Sequence, residues 1–191
     1  MSYPLELLPN TLVDRRYRIQ KTLGQGGFGR TYLVMDERRF NEPCVLKEFV
    51  PKGSEEYVVE KSRELFQREA AVLHHLSHPQ IPGFLAQFEE EERLFLVQDY
   101  VNGETYQDLL KKRQLEGNTF NETEIVQLFK NLLPVLDYIH SRNIIHRDIS
   151  PDNIMVATES DCTPSSAKGD RTMLIDFGVV NQQELKHYTS N

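Results

Sequence analysis

Along the first half of the chain, apolar and polar residues alternate in short runs separated by glycine and charged breaks. YRIQKTL, RTYLVMD and CVLKEF each read as a strand, because a period of two places alternate side chains on one buried face. A helix is predicted over 61–76 and closed by His78-Pro79, since proline cannot continue the helical hydrogen-bond ladder. FLAQFEEEERLFLVQDY shows two apolar runs around the acidic stretch 89–92, the pattern of a hairpin with a solvated turn. Val101-Asn102-Gly103 interrupts the alternation and reads as a connection. Beyond it helical spacing takes over. Asn121 with Glu124 three positions on has the form of a capping box. Ile125, Leu128, Phe129, Leu132, Leu136 and Ile139 then define a buried helical face, with Pro134 expected to bend it. Short strands are predicted around Ile144, 154–156 and 173–175, and ATESDCTPSSAKGDRT between the last two reads as a flexible surface loop. Residues 1–14 read as an irregular lead-in. The whole pattern predicts an α+β chain: a five-stranded antiparallel sheet with one helix over 15–101, and a mainly helical part over 102–191.

Composition narrows the class. The chain has 191 residues, 39% hydrophobic and 27% charged, enough for one sizeable core or two small lobes. Its net charge of −7 argues against nucleic acid or an anionic membrane as the main partner, so an anionic ligand needs a local site. Cys44 and Cys162 form neither metal-ligand spacing nor a disulfide framework, which points to a reduced, cytoplasmic compartment. MSYPLELLPN lacks a basic stretch followed by a long apolar run, so no signal peptide is expected, and no apolar run has the length of a membrane span.

Four groups of residues carry candidate chemistry. Gly24-Gln25-Gly26-Gly27-Phe28-Gly29 fits G-x-G-x-x-G, which allows positive φ and close approach of backbone N–H groups to phosphate. A dinucleotide-binding loop would need a helix straight after it, and a P-loop would need lysine where Arg30 stands. A strand–glycine loop–strand over nucleotide phosphates fits both flanks, and a glycine turn without a ligand stays open. Lys47 shares a strand face with Val45 and Phe49, while Glu69 stands on a helical stripe with Leu65, Leu73 and Leu76. Each is a charge among apolar neighbours, and pairing the two would relieve both, although an edge-of-core surface position explains either one alone. His146-Arg147-Asp148-Ile149-Ser150-Pro151-Asp152-Asn153 follows a long helix and precedes a strand. Asp148 could hold an acceptor hydroxyl and Asn153 a metal. Met173-Leu174-Ile175-Asp176-Phe177-Gly178 adds a second carboxylate at the end of a strand, and a carboxylate with an amide oxygen suits Mg²⁺.

In this order, the four groups resemble the eukaryotic-type serine/threonine protein kinases, from about Tyr17 to Gly178. LGQGGFGRTYLVMD and HPQIPGF look most like the cyanobacterial members. The resemblance implies a bilobal fold, with a small ATP-binding lobe over 15–101 and a partial large lobe over 102–191. It implies ATP and Mg²⁺ as cofactors and a protein serine or threonine as acceptor. By the same resemblance, Gly24, Gln25, Gly26, Gly27, Phe28, Gly29 and Thr31 cover the phosphates. Lys47 contacts the α- and β-phosphates and pairs with Glu69. Val45 and Met155 are further ATP-binding positions, Gln98 guards the back of the adenine pocket, and Asp99 and Val101 offer backbone hydrogen bonds to adenine. Asp148 receives or orients the hydroxyl proton, and Asn153 and Asp176 hold Mg²⁺.

Two departures qualify this reading. Serine/threonine kinases carry a lysine two residues after the catalytic aspartate, where this chain has Ser150; the lysine would neutralise charge on the moving phosphoryl group. Only 13 residues follow Gly178, so the rest of the activation segment and the later helices of a large lobe are absent from the sequence. The expectation is therefore an incomplete catalytic domain with little transfer activity of its own and a tendency to self-associate through uncovered large-lobe surface. The alternatives are a nucleotide-binding module acting by interaction, and a small-molecule kinase of the aminoglycoside or choline type. His74, His75 and His78 cluster without an acidic or cysteine ligand beside them, and Cys44 reads as a packed apolar residue.

Overall fold

The computed structural model describes residues 5–25, 29–50, 56–158, 171–177 and 181–182. They fall into two compact units: Met1–Ser77 with Pro82–Tyr100, and His78–Ile81 with Val101–Asn191.

The first unit is an antiparallel sheet with one helix. Its strands are β1 (Leu12–Val13), β2 (Tyr17–Gln25), β3 (Gly29–Asp36), β4 (Glu42–Phe49), β5 (Phe84–Glu90) and β6 (Arg93–Asp99), and its helix is α1 (Glu56–His75). The sheet order is β1-β2-β3-β4-β6-β5. The sequence predicted five strands and an irregular lead-in, and the structure adds β1, which pairs Leu12 with Arg18 and Val13 with Tyr17. Two residues are too short for alternation to register, and the turn joining them to β2 runs through left-handed Asp14 and Arg15 (φ 51° and 47°). Alternation along β4 sends Cys44 and Leu46 into a core with Val13, Tyr17, Ile19, Tyr32, Val34, Phe95 and Val97. On the opposite face Phe49 meets Phe66 of α1, ring centroids 5.5 Å apart. Helix α1 starts at Glu56, before the predicted position. The hairpin turns at Glu91 and Glu92, both left-handed, so Glu89 and Glu90 belong to β5.

In the second unit β7 (Gly103–Thr105), β9 (Ile154–Ala157) and β10 (Arg171–Leu174) form one sheet, ordered β10-β9-β7, and β8 (Ile144–Ile145) pairs with β11 (Asn181–Gln182). Its helices are α2 (Tyr106–Leu115) and α3 (Glu122–His140). Gly103, read as part of a break, opens a strand instead. It is glycine because a Cβ there would lie 2.1 Å from the carbonyl oxygen of Val156. The loop predicted over 157–172 is shorter than expected: Ala157 ends β9, Arg171 and Thr172 begin β10, and residues 159–170, with Cys162, lie outside the described residues.

Helix α3 starts at the capping box foreseen from Asn121 and Glu124, with both reciprocal bonds formed, and runs on through Pro134. Its buried face is Leu132, Val135 and Ile139, whereas Phe129 is 55% exposed. At 3.6 residues per turn Phe129 sits roughly 90° round the helix from the centre of that face, at the margin of the apolar stripe. The segment 78–81 is tied in by Gln80, whose Nε2 donates to the carbonyls of Asn131 (2.7 Å) and Thr172 (2.9 Å) and whose carbonyl accepts from Leu174 N (2.8 Å). No helix among the described residues is long and apolar enough to cross a membrane.

Candidate functional site

In the first unit, register places three of the candidate residues side by side. Gly24 pairs with Thr31 across β2 and β3, and Thr31 pairs with Lys47 across β3 and β4. Lys47 Nζ then donates to Glu69 Oε1 of α1 at 2.6 Å, so the two charges that stood among apolar neighbours meet. Glu69 is 5% exposed and the Lys47 side chain 15%, so the pair is largely withdrawn from water. Val45 is buried on the same strand face. Gln98 is buried and lies opposite Val45 in register. Asp99 ends β6, with its backbone N–H taken by the carbonyl of Gly83 (2.9 Å).

The glycines act differently from the expectation of positive φ. Neither Gly24 nor Gly29 has it. A Cβ on Gly29 would fall 1.8 Å from the carbonyl oxygen of Glu48, so Gly29 is required by the approach of β3 to β4. A Cβ on Gly24 would meet nothing within 4 Å, which leaves open space over that stretch of backbone. Gly26, Gly27 and Phe28 lie outside the described residues.

Sequence reasoning missed the group on the other face of β4. Glu48, next to Lys47, is 1% exposed and accepts from Tyr32 Oη (2.9 Å) and from Arg93 Nε (2.9 Å) and Nη2. Tyr32 Oη in turn accepts from Leu7 N, and Arg93 donates to the carbonyl of Leu5, which straps the lead-in onto the sheet. Burial, together with the bond to Glu48, pushes the Tyr32 phenol up to about 12. Burial likewise pushes the Cys44 thiol up to about 11, in keeping with a packed, unreactive side chain.

In the second unit, the loop 146–153 and the end of β10 are joined through His146, which is fully buried. Its Nδ1 accepts from Asp148 N (3.3 Å), which makes Nε2 the protonated nitrogen, donating to the carbonyl of Ile175 (3.1 Å). Phe177 meets the imidazole edge-on, centroids 4.8 Å apart. Asn153 Nδ2 donates to Asp148 Oδ2 and to the Asp148 carbonyl, both at 2.9 Å, and the Asn153 carbonyl accepts from Ile175 N at 2.9 Å. Asp148, Asn153 and the peptide preceding Asp176 are thereby held in one network. Arg147 and Asp176 take left-handed φ of 67° and 60°, uncommon for residues with a side chain and concentrated at sites where the backbone must aim a group. Val101 and Met155 are half-buried in this unit, Met155 in β9 opposite Thr105 and Met173. Gly178 lies outside the described residues.

His74 and His75 stay in contact, ring centroids 5.2 Å apart, while His78 belongs to the other unit. Helix α1 ends at His75, so His74 and His78 do not share a helix; His74 packs on Phe84 in the first unit and His78 on Tyr138 in the second.

The donor set fits the groups that the motifs imply. Asn153 uses its amide nitrogen on Asp148, which turns its oxygen to the opposite edge, and Asp176 is an exposed carboxylate; these are hard oxygen ligands of the kind Mg²⁺ takes. A lysine in register beside Gly24 and Thr31, with open space where a Gly24 side chain would stand, suits phosphates.

The family model described as protein kinase domain matches residues 17–191. The chain is 42% identical over 177 residues to serine/threonine-protein kinase C of Synechocystis sp., covering 91% of this chain and 31% of that protein. It is 44% identical over 147 residues to serine/threonine-protein kinase-like protein E of the same organism, covering 76% and 23%. It is 39% identical over 174 residues to serine/threonine-protein kinase PknA of Nostoc sp., covering 90% and 28%. The chain thus spans less than a third of the length of these relatives. With the family match extending over almost the whole chain, in a sheet-plus-helix unit followed by a unit that carries the His-Arg-Asp loop, this chain belongs to the protein kinase domain family, in its bacterial serine/threonine branch.

Proposed function

We propose that the chain provides ATP-binding and catalytic residues for transfer of the γ-phosphoryl group of ATP to a serine or threonine hydroxyl of a protein. The observation that carries this reading is the network that holds Asp148 and Asn153 against the backbone of Ile175, one residue before Asp176. Phosphoryl transfer asks the protein for positioning and charge stabilisation more than for covalent chemistry. Lys47, steadied by Glu69, contacts the α- and β-phosphates. The stretch from Gly24 to Gly29, with Thr31 beside it, covers them. Val45 and Met155 flank the adenine, the carbonyl of Asp99 accepts from its amino group, and Val101 N donates to the ring.

Asn153 and Asp176 hold Mg²⁺, which supplies neutralisation of phosphate charge when bound. Asp148 has Oδ2 engaged by Asn153, so Oδ1 is the oxygen that meets the acceptor hydroxyl and takes its proton as the new P–O bond forms and the bond from the γ-phosphorus to the β–γ bridging oxygen breaks, releasing ADP. His146 keeps the two segments in register from below, and its Nδ1, already accepting from Asp148 N, fixes the loop that aims the carboxylate.

The test is transfer from γ-labelled ATP to a basic acceptor protein, followed by identification of the phosphorylated residue. It is run on the natural protein that carries this chain, with Asp148→Asn beside it. Labelled serine or threonine that falls by at least about a hundredfold in the variant is expected. Equal labelling in both proteins, or none in either, would sink the proposal.

A further inference from the structure

Helix α2 buries none of its residues, although Tyr106 and Leu109 are apolar. Both face a groove of about 890 Å³ that lies wholly within the second unit, floored by Leu128 of α3, Val156 of β9 and Phe120. That volume is within the range of small-molecule sites, which are concave, mostly apolar, and carry a few placed polar groups. None of the residues assigned above to nucleotide, metal or acceptor lines it.

Its charges are unbalanced in one direction. Three cations line the groove, Arg113, Lys130 and Arg171, against two carboxylates, Glu104 and Glu124. Both carboxylates are already engaged. Arg113 clamps Glu124 with two bonds of 2.9 and 2.6 Å while lying over the Phe120 ring at 4.2 Å, and Lys112 bonds Glu104. Lys130 has no ion pair among the described residues, and Arg171 only a 3.5 Å bond to the carbonyl of Pro79. Among the described residues the groove therefore presents two cations without carboxylate partners beside an apolar floor, in a chain whose net charge is −7. Such a juxtaposition attracts an anion with an apolar body and repels a cation.

We propose that this groove is a second ligand site, separate from the nucleotide residues, and that its occupant is a small aromatic organic anion. The aromatic body lies on Leu109, Leu128 and Val156, and its carboxylate, sulfonate or phosphate reaches Lys130 and Arg171. The polar wall between them, Gln80, Asn131 and Thr172, is internally bonded and so gives the site a preformed side.

Anilinonaphthalene sulfonate is the probe. It is titrated by fluorescence and calorimetry into folded protein, as judged by a cooperative melt, in the absence and presence of saturating ATP with Mg²⁺. One site is expected, with affinity unchanged by nucleotide. Lys130→Glu and Arg171→Glu should each weaken it by about three- to tenfold, the scale of reversing one solvated charge. Lys111→Glu makes the same charge change on α2 outside the groove and should leave it alone. A reversal variant that does not melt cooperatively is replaced by Lys130→Gln or Arg171→Gln, with a smaller loss expected. Equal affinity in all variants, many weak sites, or displacement of the dye by ATP overturns the proposal. Displacement by an acidic peptide at lower concentration than by free naphthalene sulfonate also overturns it, and would make the occupant a polypeptide.

Discussion

Asn153 donates from its side-chain amide nitrogen to both the Oδ2 and the main-chain carbonyl of Asp148, each across 2.9 Å. The aspartate assigned to the acceptor hydroxyl is therefore aimed by the residue assigned to Mg²⁺. Asn153→Asp would set two carboxylates face to face without a hydrogen between them, and such a pair holds one proton up to a raised pH. Transfer is expected to fall by at least about a hundredfold, since small misplacements of a reacting group cost that much. The acid limb of the residual pH–rate profile should move to higher pH. A variant with the wild-type rate and profile would remove Asn153 from both roles.

Lys47→Met separates binding from folding when combined with a second change. The single variant takes an ammonium from a buried carboxylate, so the melting temperature should fall by several degrees, on the order of 1–3 kcal/mol. Adding Glu69→Gln should recover much of that loss. The rise in melting temperature that ATP with Mg²⁺ gives the wild type should be reduced in both variants alike. Recovery of the nucleotide response in the double variant would mean that Lys47 does not contact phosphate.

A pH test bears on the start of α3. The Glu124 carboxyl is brought down to about 2, first by the bidentate bonds from Arg113 and then by the Asn121 N–H. A lowered folded-state value means that the contribution of the pair is complete above the ordinary glutamate value of 4.5 and fades as the pH falls toward 2. A carbon-detected NMR titration should place the midpoint there and show it climbing back toward 4.5 in Arg113→Met. An unmoved midpoint in that variant would contradict the assignment of cause.

The two described glycines of the loop should respond unequally to a methyl group. Gly24→Ala faces open space and should change the melting temperature little, whereas Gly29→Ala must push β3 from β4 and should cost about 2–4 kcal/mol. Equal melting temperatures would show that the β3–β4 approach relaxes freely.

What was legible in the sequence was whatever broke a local rule. Lys47 and Glu69 stood out because a charge on an apolar face needs an explanation, and the structure puts them in contact. The His-Arg-Asp and Asp-Phe-Gly strings stood out by spacing, and His146 is what physically joins them. Glu48 breaks the same rule, standing on the strand face of Cys44 and Leu46, but it stayed hidden because its partners, Tyr32 and Arg93, lie 16 and 45 positions away. Helix α2 lies in the stretch read as helical beyond Gly103, but its bounds went unmarked because it buries none of its residues. The glycine motif was recognised, but positive φ, one of the two reasons given for it, does not hold at Gly29, where a neighbouring strand forbids a side chain.

The four residues 78–81 pack with the second unit although β5 and β6, which follow them, belong to the first. On a growing chain this sets an order of events. The first unit is complete once Tyr100 has emerged, and domains tend to fold as they appear. Gln80 has by then been made but has nothing to bind, since Thr172, whose carbonyl it caps, is synthesised 92 residues later. A nascent chain therefore carries a polar hook that finds its first partner with Asn131 and its last with β10, and the second unit can close only after the first has left that hook outside its own core.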